Sequence, residues 1–186
     1  MRSSLCTLLA EHQVVDAVEA GHRDRMVALA AGSGDVFSRH HFVPGHFTAS
    51  AFVLSPDGGS LLLILHRTLG LWLQPGGHVE SDDEDIFAAA RREAVEETGV
   101  EELESVSLGG PLLDLDIHPI PANGKRNEPA HEHFDVRILL RAKTWDLFAG
   151  SDAEDARWVP LGEVEDAGTD DSVLRAVRRV GSKLVG

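Results

Sequence analysis

Glu96 and Glu97 each stand about one helical turn after Glu93, at the end of a segment that begins with the pair Gly76-Gly77. Carboxylates at that spacing, facing a glycine turn, can hold a hard divalent cation against a phosphate. Ser81 precedes Glu84 by three positions, the spacing of a capping box, and Asp82, Asp83 and Glu84 suit the positive end of a helix. Gly99 supplies the C-terminal stop. At about 100° per residue the three glutamates fall within an arc of roughly 100°. That arc overlaps the one holding Ile86 and Ala90, which turns Glu97 toward the body of the protein. The competing reading is an exposed, acidic helix end. Like charges at this spacing cost roughly 0.2–0.5 kcal/mol per pair, and carboxylates are unfavourable at a helix C-terminus, so helix stability does not account for the cluster. A bound cation reverses the sign of both terms.

Oxygen-only ligands beside a phosphate site point to Mg²⁺ or Mn²⁺ in preference to zinc. Such an ion neutralises diphosphate oxygens, polarises phosphorus and acidifies a bound water, so the expected reaction is hydrolysis of a phosphoanhydride.

The run from Gln74-Pro75-Gly76-Gly77-His78-Val79-Glu80, through Glu84, to Arg92-Glu93-Ala94-Val95-Glu96-Glu97-Thr98-Gly99-Val100 resembles the Nudix box, the signature of Nudix hydrolases. The resemblance implies that Glu93, Glu96 and Glu97 are metal ligands and that Glu84 is a secondary ligand or a support. It makes Arg92 the residue that orients one of those carboxylates. Gly76 and Gly77 would let the backbone approach metal and phosphate where a Cβ would obstruct. Two departures stand out. Six residues separate Gly77 from Glu84 where the family pattern has five, and Ala94 replaces a bulkier apolar residue. The extra residue falls in the turn before the helix, where length changes are tolerated.

A chain of 186 residues with 42% hydrophobic composition can bury one substantial core. The expected organisation is an N-terminal helical extension over residues 1–44, packed on a Nudix domain over 45–186. The balance of 31 acidic against 17 basic residues, a net charge of −14, disfavours nonspecific binding to nucleic acid or anionic membranes. An anionic, nucleotide-type small molecule then needs local compensation by metal, Arg or Lys. The lone Cys6 excludes an intramolecular disulfide, and the apolar run Leu5 to Ala10 is too short for a membrane span and poor as a signal-peptide core. A cytoplasmic protein is expected. No feature specifies an interface, which leaves a homodimer open.

Residues 3–31 are rich in helix formers, and Gly21-His22 is expected to divide them into two helices. Strands follow at 47–54 and 61–66, joined by the turn Ser55-Pro56-Asp57-Gly58-Gly59. Further strands are expected at 104–109, 112–118, 132–141 and 155–159. A final amphipathic helix begins at Asp170 or Asp171, with Val173, Leu174, Val177 and Val180 inward. The order looks like the Nudix fold, an α+β class α/β/α sandwich with a mixed β-sheet between helices.

A second constellation lies outside the box. Asp114, Asp116 and His118 alternate with apolar residues, as do His131, His133, Asp135 and Arg137, so each set occupies one face of a strand. Pairing across the loop Pro119 to Pro129 brings the two rows together. The plain reading is the solvent face of a hairpin, but three histidines and three aspartates are unusual where Lys, Thr or Glu would serve solubility. The functional reading is that this patch lines the substrate cleft, binding the group beyond the diphosphate or an additional metal. Zinc could be held through His131 and His133, although no closed four-ligand motif is evident. His78 follows the glycine pair and is a candidate for phosphate contact, Arg67 is a candidate phosphate clamp, and Trp72 is expected beneath the glycine turn. Some Nudix hydrolases take their general base from a carboxylate outside the box. Glu154, in the expected loop Ser151 to Asp155, is the candidate for that role.

The function expected is a metal-dependent pyrophosphohydrolase that cleaves a nucleoside diphosphate linked to another moiety, or a nucleoside triphosphate. The alternative is a catalytically silent domain that senses a nucleotide ligand. The complete set Glu93, Glu96 and Glu97 favours the enzyme. The isomerase branch of the same fold uses an active-site cysteine, whereas Cys6 lies far upstream of the box.

Overall fold

The central strand β1 (Gly45–Leu54) is buried along its whole length, and its two faces carry different chemistry. Phe47, Ala49, Ala51 and Val53 enter one hydrophobic core, while Phe52 and Leu54 enter a second. His46, Thr48 and Ser50 alternate onto the same face as Phe52 and Leu54 and make part of it polar. A computed structural model describes residues 1–148 and 153–184.

Around β1 the chain builds a mixed sheet of eight strands. β1 pairs antiparallel with β2 (Ser60–His66) and with the short β4 (Gly76–His78), and parallel with β7 (His131–Ala142). β2 also pairs with β3 (Leu71–Leu73) and β8 (Ala153–Pro160), and β7 with β5 (Leu103–Ser105) and β6 (Asp114–Ile120). α1 (Arg2–Glu11), α2 (Ala17–Ala31) and α3 (Ile86–Thr98) bury Leu5, Leu9, Met26, Ala89 and Ala94 in the first core. A 3₁₀ helix (Leu161–Ala167) and α4 (Asp171–Leu184) bury Val164, Val173, Val177 and Val180 in the second. Helices therefore cover both faces of the sheet, the expected sandwich. Among the described residues no helix is long and apolar enough to cross a membrane.

Several boundaries differ from expectation. The N-terminal helices part between His12 and Asp16, not at Gly21-His22, because Asp16 caps α2 through the Glu19 N–H. Gly21 stays helical at a cost of about 1 kcal/mol relative to Ala. The same junction is tied to the C-terminal helix. Buried Glu19 accepts from Arg179 at 2.9 Å and pairs with His12 at 2.6 Å. The strand expected over 104–109 ends at Ser105. Finally, α3 begins after Asp85, whose carboxylate accepts from the N–H groups of Phe87 and Ala88, each at 2.9 Å. The Ser81–Glu84 capping box does not form, and Glu84 lies exposed outside the helix.

Candidate active site

The Asp85 cap and the left-handed Gly99 (φ 68°) fix the two ends of α3, and its last turns face β4. Glu97 Oε2 accepts from the Gly76 N–H at 2.9 Å, so this carboxylate points inward as its helical phase requires. Glu93 lies directly over Gly77. A Cβ at that glycine would meet Glu93 Oε1 at 2.5 Å and Oε2 at 2.8 Å, so only the bare backbone admits the carboxylate. Glu96 is exposed beside them. Arg92 draws the group together. It donates to Glu93 Oε1 at 2.9 Å, Glu96 Oε2 at 3.2 Å and the His78 carbonyl at 2.8 Å, and makes two hydrogen bonds to Asp83. Burial raises the Glu93 carboxyl above its ordinary range, and the neighbouring charges of Glu96 and Glu80 push the same way against the Arg92 hydrogen bond. Oxygen donors around a glycine that leaves room for them fit a hard divalent cation.

Of the two acids at the start of the box, Asp83 and not Glu84 reaches the carboxylate cluster, through Arg92. Five residues separate Gly77 from Asp83, as in the family pattern, while it is Glu84 that keeps the pattern's spacing to Arg92. Asp83 pairs with Arg92, whereas Glu84 does not contact the cluster through any described hydrogen bond or ion pair. Burial alone would raise the Asp83 carboxyl, but the hydrogen bonds from Arg92 and from the Glu80 N–H outweigh it and hold the group below its usual value. The inserted residue is absorbed by using Asp83 as the anchor and Asp85 as the cap.

On the other side of β4 the polar face of the sheet forms a grid. Parallel β1 and antiparallel β6 set His46 and His118 opposite His133, Thr48 and Asp116 opposite Asp135, and Ser50 and Asp114 opposite Arg137. The two rows expected to meet do meet. Their acidic members, however, are not available to a substrate. Asp135 is buried and accepts from Ser50, Thr48 and Arg137. Asp116 is buried and pairs with Arg137 and with Arg175 from α4. Burial would raise its carboxyl, but His118 and the two guanidiniums hold it far below the usual range. Arg137, fully enclosed, also pairs with Asp114 and donates to Ser172, so α4 covers this end of the grid. Asp116 and Asp135, expected to line the substrate cleft, lie instead in buried ion pairs with Arg137 and Arg175.

The imidazole end is different. His46, His78, His118, His131 and His133 form one cluster with ring centroids 4.8–5.5 Å apart between neighbours. Alternation along β4 sends Gly77 toward Glu93, and His78 toward His46 and His133, which is the opposite side. His78 thus contributes its carbonyl, not its ring, to the carboxylate site. Burial, then the proximity of the other rings, lowers His46 to about 4 and His133 to about 2.

A NUDIX domain model matches residues 44–178 of the chain. This protein belongs to the Nudix family. A probable DHNTP pyrophosphohydrolase of Lactococcus lactis subsp. cremoris (strain MG1363) is 38% identical over 131 residues, covering 69% of this chain and 75% of that protein. Two solved structures share the fold. A C. elegans Ap4A hydrolase binary complex superposes with a TM-score of 0.55 at 19% identity, over 75% of this chain and 98% of the other. The NUDIX domain of Shewanella oneidensis NrtR, complexed with ADP ribose, gives 0.51 at 21% identity, over 74% and 87%. The chain is a hydrolase acting on phosphoanhydride bonds.

The remaining candidates of this Nudix hydrolase lie farther out. Arg67 begins the exposed turn between β2 and β3. Glu154 is exposed on β8; the expected loop has become strand by Ala153, and Ser151 and Asp152 lie outside the described residues. Trp72 does not pack beneath the glycine turn. It joins the second core, with the Arg157 guanidinium 3.8 Å over its ring. Ser50, His46 and Arg175 are the site residues that sequence reasoning missed as partners of the polar face. The alternation His46-Thr48-Ser50 was a signal for the first two.

Proposed function

We propose that this Nudix hydrolase is a divalent-metal-dependent pyrophosphohydrolase acting on a nucleotide-type triphosphate. The supporting observation is the seating of Glu97 on the Gly76 N–H and of Glu93 on Gly77, with Arg92 holding Glu93 and Glu96. Nudix hydrolases generally use divalent metals. Here Glu93, Glu96 and Glu97 would hold Mg²⁺ or Mn²⁺, which when bound neutralises phosphate oxygens and polarises phosphorus. With a net charge of −14 the protein repels a polyphosphate, so productive binding needs that neutralisation. Gly76 and Gly77 keep the backbone bare where phosphate approaches. Arg92 orients the carboxylates from behind, and Glu154 is assigned as the proton acceptor for the attacking water. Addition of water to phosphorus breaks the bridging P–O bond, giving a monophosphate and pyrophosphate. The 38% identity to a probable DHNTP pyrophosphohydrolase favours a triphosphate over a conjugated diphosphate.

The test is a panel of DHNTP, nucleoside triphosphates, dinucleoside polyphosphates and ADP ribose with Mg²⁺ or Mn²⁺, and Glu96→Gln as control. Pyrophosphate release from a triphosphate, abolished by chelation and by Glu96→Gln, is the expected result. Tight nucleotide binding without turnover of any member would replace the enzyme with a nucleotide sensor.

A further inference from the structure

The histidine cluster goes beyond the hydrolytic reading. An imidazole buried on a sheet face brings two polar nitrogens that need partners, so five together are a poor way to fill space. Two of the rings are oriented by backbone carbonyls. His46 Nδ1 donates to the His41 carbonyl at 3.3 Å, and His131 Nδ1 donates to the Pro129 carbonyl at 2.8 Å. Because a carbonyl can only accept, each Nδ1 carries the hydrogen and each Nε2 presents a lone pair, the arrangement found in metal-ligating histidines. His46 is 0% exposed, and its Nε2 has no hydrogen-bond partner. A buried acceptor left in that state bears its desolvation penalty uncompensated unless an electrophile meets it.

One ligand nitrogen from each of His46, His131 and His133 lies within 4.8 Å of the other two. We propose that these three histidines form a transition-metal site that takes Zn²⁺, separate from the carboxylate cluster of the box. The donor set decides the ion: imidazole nitrogen suits borderline metals, whereas Mg²⁺ seeks oxygen. Tetrahedral Zn–N bonds of about 2.0–2.1 Å set neighbouring nitrogens about 3.4 Å apart, so the rings close inward by about an ångström on binding. Three protein ligands leave a fourth position for water or an anion, as in open zinc sites. His118 and His78 stand next in the cluster, against His133. β4 divides the site from the box, since the His78 ring and the Glu93 carboxylate lie on its opposite sides.

Metal-stripped full-length protein is titrated with Co²⁺, whose tetrahedral complexes absorb strongly in the visible, and then with Zn²⁺. The expected result is one equivalent of Co²⁺ with a tetrahedral spectrum, displaced by one equivalent of Zn²⁺ and retained in Glu96→Gln. His131→Gln and His133→Gln should each weaken Zn²⁺ by more than the roughly 10–100-fold that follows loss of a residue merely orienting a ligand. Circular dichroism reports folding, and His131, at the rim with 8% exposure, keeps the test available should the His133 variant misfold. Absence of the spectrum in wild type, its loss in Glu96→Gln, or its persistence in both folded histidine variants overturns the site. Mg²⁺-dependent hydrolysis is measured on the same samples. A wild type that shows the Co²⁺ spectrum but hydrolyses nothing removes the proposed function and upholds the histidine site.

Discussion

Gly77→Ala probes the carboxylate site with a single methyl group. The added Cβ would stand 2.5 Å from Glu93 Oε1, where ordinary contact is 3.4–4 Å. The carboxylate must retreat by about 1 Å, a displacement that can cost about 10²-fold in rate when it misplaces a catalytic group. The obstructed atoms are the far end of a flexible side chain, so the fold should bear little of the strain. Gly→Ala at a compatible backbone also gains about 0.4–1 kcal/mol through the unfolded state. Gly76→Ala is the matched contrast. There the Cβ would lie 2.3 Å from Ser50 Oγ and 2.8 Å from Ser50 Cα, so β1 itself must move, and overpacking of that kind costs about 1–3 kcal/mol. Initial rates across a Mg²⁺ titration, with urea unfolding of the same variants, separate the two. Gly77→Ala should lose about 10²-fold in kcat and need more Mg²⁺, with an unfolding midpoint close to wild type. Gly76→Ala should lose stability. Wild-type kcat and metal dependence in Gly77→Ala would refute the placement of Glu93 at the metal.

Asp85→Ala should lose about 1 kcal/mol in urea unfolding, as removal of an N-cap does, while Glu84→Ala stays within about 0.5 kcal/mol. The reverse ranking would restore the Ser81–Glu84 capping box. Arg137→Met removes the guanidinium that pairs with buried Asp135, while Asp114 keeps Arg175, and should cost about 3–5 kcal/mol by the same measurement, a loss under 1 kcal/mol being incompatible with the buried network. Asp116 titrates in the folded state far below its ordinary value of 3.8. Its stabilisation is therefore complete above that value and is lost as pH falls below it, because the unfolded chain binds the proton first. Asp116→Asn should flatten the acid limb of the unfolding midpoint below about pH 4, and an unchanged limb would contradict the ion pairs. Glu154→Gln should lower kcat about 10²–10⁴-fold with little change in KM, whereas full kcat returns the base to the box carboxylates.

Local periodicity explains which features were legible. The arc of Glu93, Glu96 and Glu97 needs only 3.6 residues per turn, and alternation in 114–118 and 131–137 needs only the pleat of a strand. The β6–β7 partnership followed because one loop joins the two rows. The third row, His46-Thr48-Ser50, arrives by parallel pairing with a strand about 85 residues away, and no local pattern encodes that register. Its arrival converts Asp135 from a surface acid into a buried acceptor. The turn before α3 failed for another reason. Asp82, Asp83, Glu84 and Asp85 all suit a helix start, and the choice is made by Arg92, which claims Asp83 and leaves Asp85 to cap.

The short strand β4 accounts for the company that these two groups keep. Gly76 and Gly77 have no side chains, which lets β4 lie against Ser50 on one side and Glu93 on the other. His78 then restores a side chain on the Ser50 side alone, where His46 and His133 already stand. The box carboxylates thus stand on the α3 side of β4 and the imidazoles on the other, where Asp116 and Asp135 are held in buried ion pairs. Zn²⁺ binds a mixed set of sites more tightly than Mg²⁺ or Mn²⁺, so a carboxylate cluster alone would not reject it by affinity. The proposed imidazole site, a strand's width away, would offer that ion a better match and leave the carboxylates to the hard cation proposed for hydrolysis.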